Sequence, residues 1–324
     1  MRRPTRRALL AATGAVAIAG CLGDLSDSTS DDDPADDDDG QASNGDPSLP
    51  PGGDSPDGCP EYDVDRVVAA HEIDPDETAI HLVPSAETIA GNERITFTLH
   101  NETDSEFLHN PYRWHLHKWV DDRWHYVAPL GWNEPLSTLQ PGGTHDWDLR
   151  VDNAGVEDGA SVREASTGRD PIAGLGGGTY AFGTRGWFDD GPYDGTIGFC
   201  ARFELDADDL APTPTNAITS TEWEDDTLVA TSDRGDPESE YTRPGAYELV
   251  RTDDDVAGTP LVTETLLRND QLRDVVALAR DHDADRVRLE EFNGTSPIFG
   301  SREDGHYEYD GNTYEVSTRE LEDE

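Results

Sequence analysis

Ile95, Phe97 and Leu99 alternate with Thr96, Thr98 and His100, and the same period of two returns along much of the chain. Successive strand side chains point to opposite faces, so apolar residues spaced this way bury together only as strands. Ile80 and Leu82 share one face of such a run, as do Tyr112, Trp114 and Leu116 of another. Trp124–Val127 returns after a short acidic turn at Asp121-Asp122, and Trp147, Leu149 and Val151 alternate again. Tyr180 and Phe182 follow, then Ile197, Phe199, Ala201 and Phe203. Turn signals at Asn101–Asp104, Pro141-Gly142-Gly143 and Gly176–Gly178 separate the runs. About seven short strands in roughly 140 residues, with no amphipathic helix among them, predict a β-sandwich over 59–210.

Ala211-Pro-Thr-Pro-Thr215 marks a boundary, and 211–324 reads as a smaller α+β module. Thr227–Thr231, Gly245–Arg251 and Arg286–Phe292 look extended. Asp270 is placed to cap a helix running to about Arg280, with Leu272, Val275, Val276 and Ala279 at helical spacing. Tyr307–Val316 reads as a hairpin turning at Asp310-Gly311. The fold class expected is therefore mainly β, a sandwich followed by a small α+β domain.

The 324 residues carry 70 Asp and Glu against 24 Lys and Arg, a net charge of −46, and Lys118 is the only lysine. Such acidity with almost no lysine resembles proteins of extreme halophiles. At low ionic strength the chain would repel itself. At molar salt the Debye length falls to about 3 Å and the repulsion largely vanishes. The fold is therefore expected to require salt. Phosphate binding needs a basic surface, so nucleic acid is excluded as a general partner.

Arg2, Arg3, Arg6 and Arg7 precede the apolar stretch Ala8–Gly20, thirteen residues and too short to span a bilayer. Thr5-Arg6-Arg7-Ala8-Leu9-Leu10 resembles a twin-arginine export motif, and Ile18-Ala19-Gly20-Cys21 resembles a lipobox. The resemblance implies a signal peptide over 1–20 and lipid on Cys21, with the chain anchored to the cell membrane and facing outside. Residues 22–58 hold twelve Asp and no aromatic residue. They cannot bury enough surface to offset their ordering entropy, so 21–58 is expected to be a disordered acidic tether.

With Cys21 lipidated, Cys59 and Cys200 remain as one candidate disulfide, which an oxidising compartment permits. Ile197, Phe199, Ala201 and Phe203 alternate inward, which turns Cys200 outward to meet an arm from outside.

Several segments add a family likeness. Ile95–Asp104, Leu116–Trp124, Leu139–Gly143, Leu175–Tyr180 and Ala201–Leu205 together resemble the immunoglobulin-like domain of bacterial surface lipoproteins. The likeness covers about 76–206 and implies an immunoglobulin-like sandwich in an extracytoplasmic setting, with no catalytic residues to carry over. Asp152–Ile172 departs from that compact pattern as a long loop or insertion. Helix 270–280 followed by Tyr307-Glu-Tyr-Asp-Gly-Asn-Thr-Tyr314 resembles a small haloarchaeal domain of unknown function.

Candidate chemistry is sparse. His115 and His117 share a strand face at i, i+2, opposite to Trp114 and Leu116. They could form two legs of a Zn or Cu site with His125 as the third. Register decides: an odd-length turn puts His125 on their face, an even-length turn on the other. A polar, solvated outer face is the simpler reading of the pair. Arg113 and Trp119 lie on the same face, and Trp187, Phe188 and Tyr193 sit in a loop between two strands. These five make a candidate interaction patch for a surface protein or a glycan, although packed aromatics are the commoner explanation of such a loop. Asn101-Glu-Thr and Asn293-Gly-Thr are sequons. Gly174–Gly178 lacks the Gly-Lys-Ser/Thr of a phosphate loop, and no catalytic set can be assembled. The expected function is non-catalytic binding at a cell surface. Metal binding is the alternative, and protease inhibition on a similar sandwich rests on fold analogy alone.

Overall fold

A computed structural model describes residues 58–162, 171–252, 256–300 and 303–322, together with Leu49. The expected export motif at Arg6 and Arg7, the expected lipid attachment at Cys21 and nearly all of the expected tether lie outside the described residues.

The first ten strands are β1 (Arg66–Ala69), β2 (Ile80–Pro84), β3 (Thr88–Ala90), β4 (Arg94–Asn101) and β5 (Phe107–Val120), then β6 (Arg123–Ala128), β7 (Ser137–Leu139), β8 (Thr144–Arg150), β9 (Gly178–Phe188) and β10 (Thr196–Asp206). They form a seven-stranded sheet ordered β1-β10-β9-β5-β6, with β3 on β10 and β7 on β5, and a three-stranded sheet ordered β2-β4-β8. The expected alternation decides which residues meet between the layers. Ile95, Phe97, Leu99, Trp147 and Leu149 face Trp114, Leu116, Phe182, Phe199 and Phe203 in one core. Phe97 stacks on Phe182 with ring centroids 4.1 Å apart, joining β4 to β9 across the sandwich.

The second module contains β11 (Ile218–Glu224), β12 (Thr227–Ser232), β13 (Arg243–Thr252), β14 (Thr259–Pro260), α1 (Thr263–Leu266), α2 (Asp270–Asp281), β15 (Arg286–Asn293), β16 (Gly305–Tyr309) and β17 (Asn312–Glu320). Its sheet is ordered β11-β12-β15-β13-β17-β16-β14. The expected strands, helix and Asp310-Gly311 hairpin are all present. The helix cap moves by one residue: Asn269, not Asp270, accepts the Leu272 amide at 3.0 Å. Leu272, Val275, Val276 and Ala279 pack α2 on Tyr247, Leu289 and Val316. The helix ends where Asp283 takes a left-handed φ of 48°.

A boundary at Ala211 does not make the modules separable. All described residues belong to one compact unit, and buried polar contacts stitch the modules together. Arg273, 0% exposed, donates to the Thr213, Ala160 and Val156 carbonyls at 2.6, 2.9 and 2.9 Å. Within the departing stretch after Asp152, residues 156–160 thus form a socket for Arg273 of α2. Within the second module, Asp274 accepts from Thr215 Oγ1 at 2.9 Å and from Arg234 at 2.6 Å, and Arg234 also reaches Glu291 at 2.6 Å. Lys118, from β5, meets Glu264 of α1 at 2.7 Å. No helix among the described residues is long and apolar enough to cross a membrane.

Candidate functional site

The outer face of the seven-stranded sheet, away from the three-stranded layer, carries most of the residues singled out above. Its character begins with an interruption in β5. The ladder to β9 pairs His109 with Gly186 and next Trp114 with Thr184, so 110–113 bulge out. Pro111 has no amide to offer the ladder, which explains the break. The bulge turns Arg113 onto the loop 129–136, where its guanidinium lies 5.3 Å over the Trp132 ring. Asn110 holds the same loop by donating to the Asn133 carbonyl at 2.8 Å. Tyr112, expected inward beside Trp114, is half-buried within the bulge.

After the bulge, strict alternation resumes. Trp114 and Leu116 are 1% and 0% exposed, while His115, His117 and Trp119 take the outer face. β9 adds Ala181, Gly183 and Arg185 beside them.

An arm from the N-terminal side covers part of this face. Cys59 and Cys200 form the expected disulfide, which pins the arm to β10. Three residues on, Tyr62 lies across Gly183, where any side chain would collide with its hydroxyl. Tyr62 stacks on His115 at 6.1 Å and meets His117 edge-on at 5.9 Å. Tyr126 approaches His117 and His115 at 5.2 and 5.9 Å, and Trp132 closes on His115 at 5.9 Å. Five side chains from two strands and two loops thus make one ring cluster. Trp119 and Trp124 extend it toward the hairpin tip, 5.1 Å apart.

Burial governs its electrostatics. It pushes His115 down to about 4, with Arg185 and Arg113 adding to the effect, and His117 down to about 3, with His115 adding. Both imidazoles are neutral near pH 7. The Tyr62 hydroxyl is raised by burial and does not ionise there. The Tyr62 hydroxyl, His117 Nδ1 and Arg113 Nε are buried without a hydrogen-bond partner. Buried polar groups are seldom left so, which marks the cluster as unusual.

Several expected site residues lie elsewhere. The turn between β5 and β6 has two residues, Asp121 and Asp122, both at positive φ. That even length pairs His125 with Lys118 and His117 with Tyr126, so His125 faces away from His115 and His117. It lines instead a cleft of about 270 Å³ with Arg123, Leu261 and Tyr309. Among the described residues no three His, Cys, Asp or Glu side chains assemble to hold a metal ion. His115, His117 and His125 therefore do not come together as the candidate Zn or Cu triad.

The interaction patch is also divided. Phe188 is 6% exposed and packs edge-on against Phe107 at 5.1 Å, because its parity on β9 turns it inward. Tyr193 packs on the core beneath the Arg66 guanidinium, 4.3 Å away. Trp187 alone of those three stays out, at 40% exposure. Asn101, expected in an open turn, is 0% exposed at the end of β4. Its amide donates to the Ser105 and Leu139 carbonyls at 2.9 and 3.1 Å, which takes it out of reach of a modifying enzyme. Asn293 is half-buried at the end of β15, its Oδ1 accepting from the Thr295 amide at 2.9 Å.

Sequence reasoning missed Tyr62, Tyr126, Trp132 and Arg185. One signal was available for Tyr62: a disulfide to an outward Cys200 must lay the neighbouring arm on that face. No family model matches the sequence, and no curated protein matches it.

Proposed function

We propose that the chain is a lipid-anchored, outward-facing lipoprotein of a halophilic archaeon whose folded unit is a non-catalytic binding module. Lipid on Cys21 holds it to the cell membrane, and the acidic tether carries the immunoglobulin-like sandwich and its α+β companion clear of the surface. The outer face of the large sheet is the binding surface.

One observation carries this reading: a built cluster of rings with unspent polar groups, part of which remains open. Trp119 and Tyr126 are 40% and 37% exposed at its margin. Trp, Tyr and Arg are the side chains that anchor interfaces most often. His115 and His117 sit among rings and guanidiniums, an environment that suits contact better than proton transfer.

Amine-reactive cross-linkers are a poor choice for a test, since Lys118 is 9% exposed and paired with Glu264. A photo-cross-linking residue at Trp119, installed in the full chain on intact cells, is expected to capture a surface protein or glycan. The same residue at Tyr241, 78% exposed in the second module, is the control and is expected to capture nothing. Capture at Tyr241 without capture at Trp119 would refute the reading.

A further inference from the structure

The sign of the charge on this face is at odds with the rest of the molecule. In a chain of net charge −46, a guanidinium should find a carboxylate with ease. Most described arginines do, among them Arg94, Arg234, Arg280 and Arg288. Arg268 and Arg273 instead spend theirs on buried carbonyls. Arg113 and Arg185 have no ion pair with any described carboxylate, and among the described residues Arg185 makes one hydrogen bond, to the Asp63 carbonyl at 3.0 Å. Arg123 and Arg202 also lack an ion pair, but both stand exposed in solvent. Arg113 and Arg185 are half-buried beside each other, and the Arg185 guanidinium is held less firmly protonated by burial first and by Arg113 second, with the Asp63 carboxylate opposing them only in part.

Two half-buried like charges, neither of them in an ion pair, raise each other's energy, and a bound oxyanion relieves it. The guanidinium fork matches a carboxylate or sulfate bidentately. What surrounds the pair is a wall of rings, with Arg113 itself stacked on Trp132. A flat ring presents an apolar face to the C–H face of a sugar, and its edge remains wet.

We infer that this cluster, taken as the binding surface proposed above, accepts an acidic saccharide: the acid group between Arg113 and Arg185, the sugar ring on Trp132 and Tyr126. Molar salt sharpens the choice. With a Debye length of about 3 Å, charge attraction acts only at contact. A simple anion or a flexible acidic peptide then gains little, whereas a ligand that also stacks is retained.

The test is a calorimetric titration of the full chain at molar salt. The probes are oligogalacturonate, a sulfated and an uncharged oligosaccharide of the same length, polyglutamate and sodium sulfate. The expected result is saturable binding of at least one acidic oligosaccharide, the two acidic probes telling carboxylate from sulfate. Arg113→Gln and Arg185→Gln should each weaken it by about tenfold or more, the loss of a charge-assisted hydrogen bond. Trp132→Ala should weaken it similarly, Trp132→Phe should restore it, and Arg123→Gln should leave it unchanged. Far-UV spectra show whether each variant is folded.

Binding of polyglutamate or sulfate as tight as that of the saccharide would overturn the inference, as would no binding by either acidic oligosaccharide. Equal binding of the uncharged oligosaccharide, lost in Trp132→Ala and untouched in the arginine variants, would remove the acid group but keep the outer face as a binding surface. Capture at Tyr241 alone in the cross-linking experiment would remove both.

Discussion

Lys118→Met is expected to cost the folded state about 3–5 kcal/mol, the penalty for leaving a buried charge without its partner. Glu264 is 1% exposed, and its Oε1 receives Lys118 Nζ at 2.7 Å and the Gly176 amide at 3.0 Å. The Tyr180 hydroxyl lies 3.2 Å from the same oxygen while donating to the Gly176 carbonyl at 2.7 Å. Take the ammonium away and the carboxylate, itself 1% exposed, keeps only two neutral contacts among the described residues. For a unit of this size the melting temperature should fall by roughly 10 °C. Salt should not rescue it, because a buried pair is scarcely screened. The double variant Lys118→Met/Glu264→Leu should recover most of the loss, since paired apolar replacements of buried ion pairs are often neutral. A melting temperature in Lys118→Met within about 2 °C of the parent would show that the seam does not depend on this pair.

Acidification from about pH 7 to pH 4 should destabilise the fold, through histidines that burial keeps neutral. His109, 1% exposed, is pushed down to about 4 by burial and then by His145. His115 and His117 fall to about 4 and about 3, again chiefly by burial. An unfolded chain titrates its histidines near 6.5, so between there and about 4 the unfolded state binds more protons. Stability is therefore full above that window and drains away as pH falls through it. His109 alone accounts for roughly 3 kcal/mol by pH 4. Melting at molar salt across this range should show the decline, and it should be shallower in His109→Gln and in His117→Gln. The slope is the readout, whatever the variants do to the level at neutral pH. A melting temperature that stays flat from pH 7 to pH 4 would mean that these imidazoles are not held neutral by the fold.

How much of this could be read beforehand depends on the range of the interaction. Ile95-Phe97-Leu99 and Ile197–Phe203 disclosed their inward faces because strand parity is local. The even turn at Asp121-Asp122 was equally local: its two residues already send His125 to the other face, so the metal triad was decidable from spacing once the turn length was taken as two. Whether Phe188 and Tyr193 pack or stay free is open in the sequence, because a loop's composition does not say which rings fold back. Asn101 looked like a turn residue, and only the approach of Leu139 and Ser105 buries it. Long-range partnerships were not legible at all. Nothing near Glu264 announces Lys118, and nothing near Arg273 announces the carbonyls of Val156 and Ala160. The ring cluster belongs to this second kind, being assembled by a bulge at Pro111, a loop carrying Trp132 and an arm clipped through Cys59.

The central claim, that the molecule binds through the outer face of its large sheet, is tested most directly by hydrogen exchange of the full chain with and without a cell-envelope fraction at molar salt. The arm at 58–65, the bulge at 110–113 and the loop at 129–136 carry the amides that should respond. The account predicts slower exchange confined to those three segments. Slowing confined instead to the β11–β12 hairpin around Trp223, with these three unchanged, would contradict it.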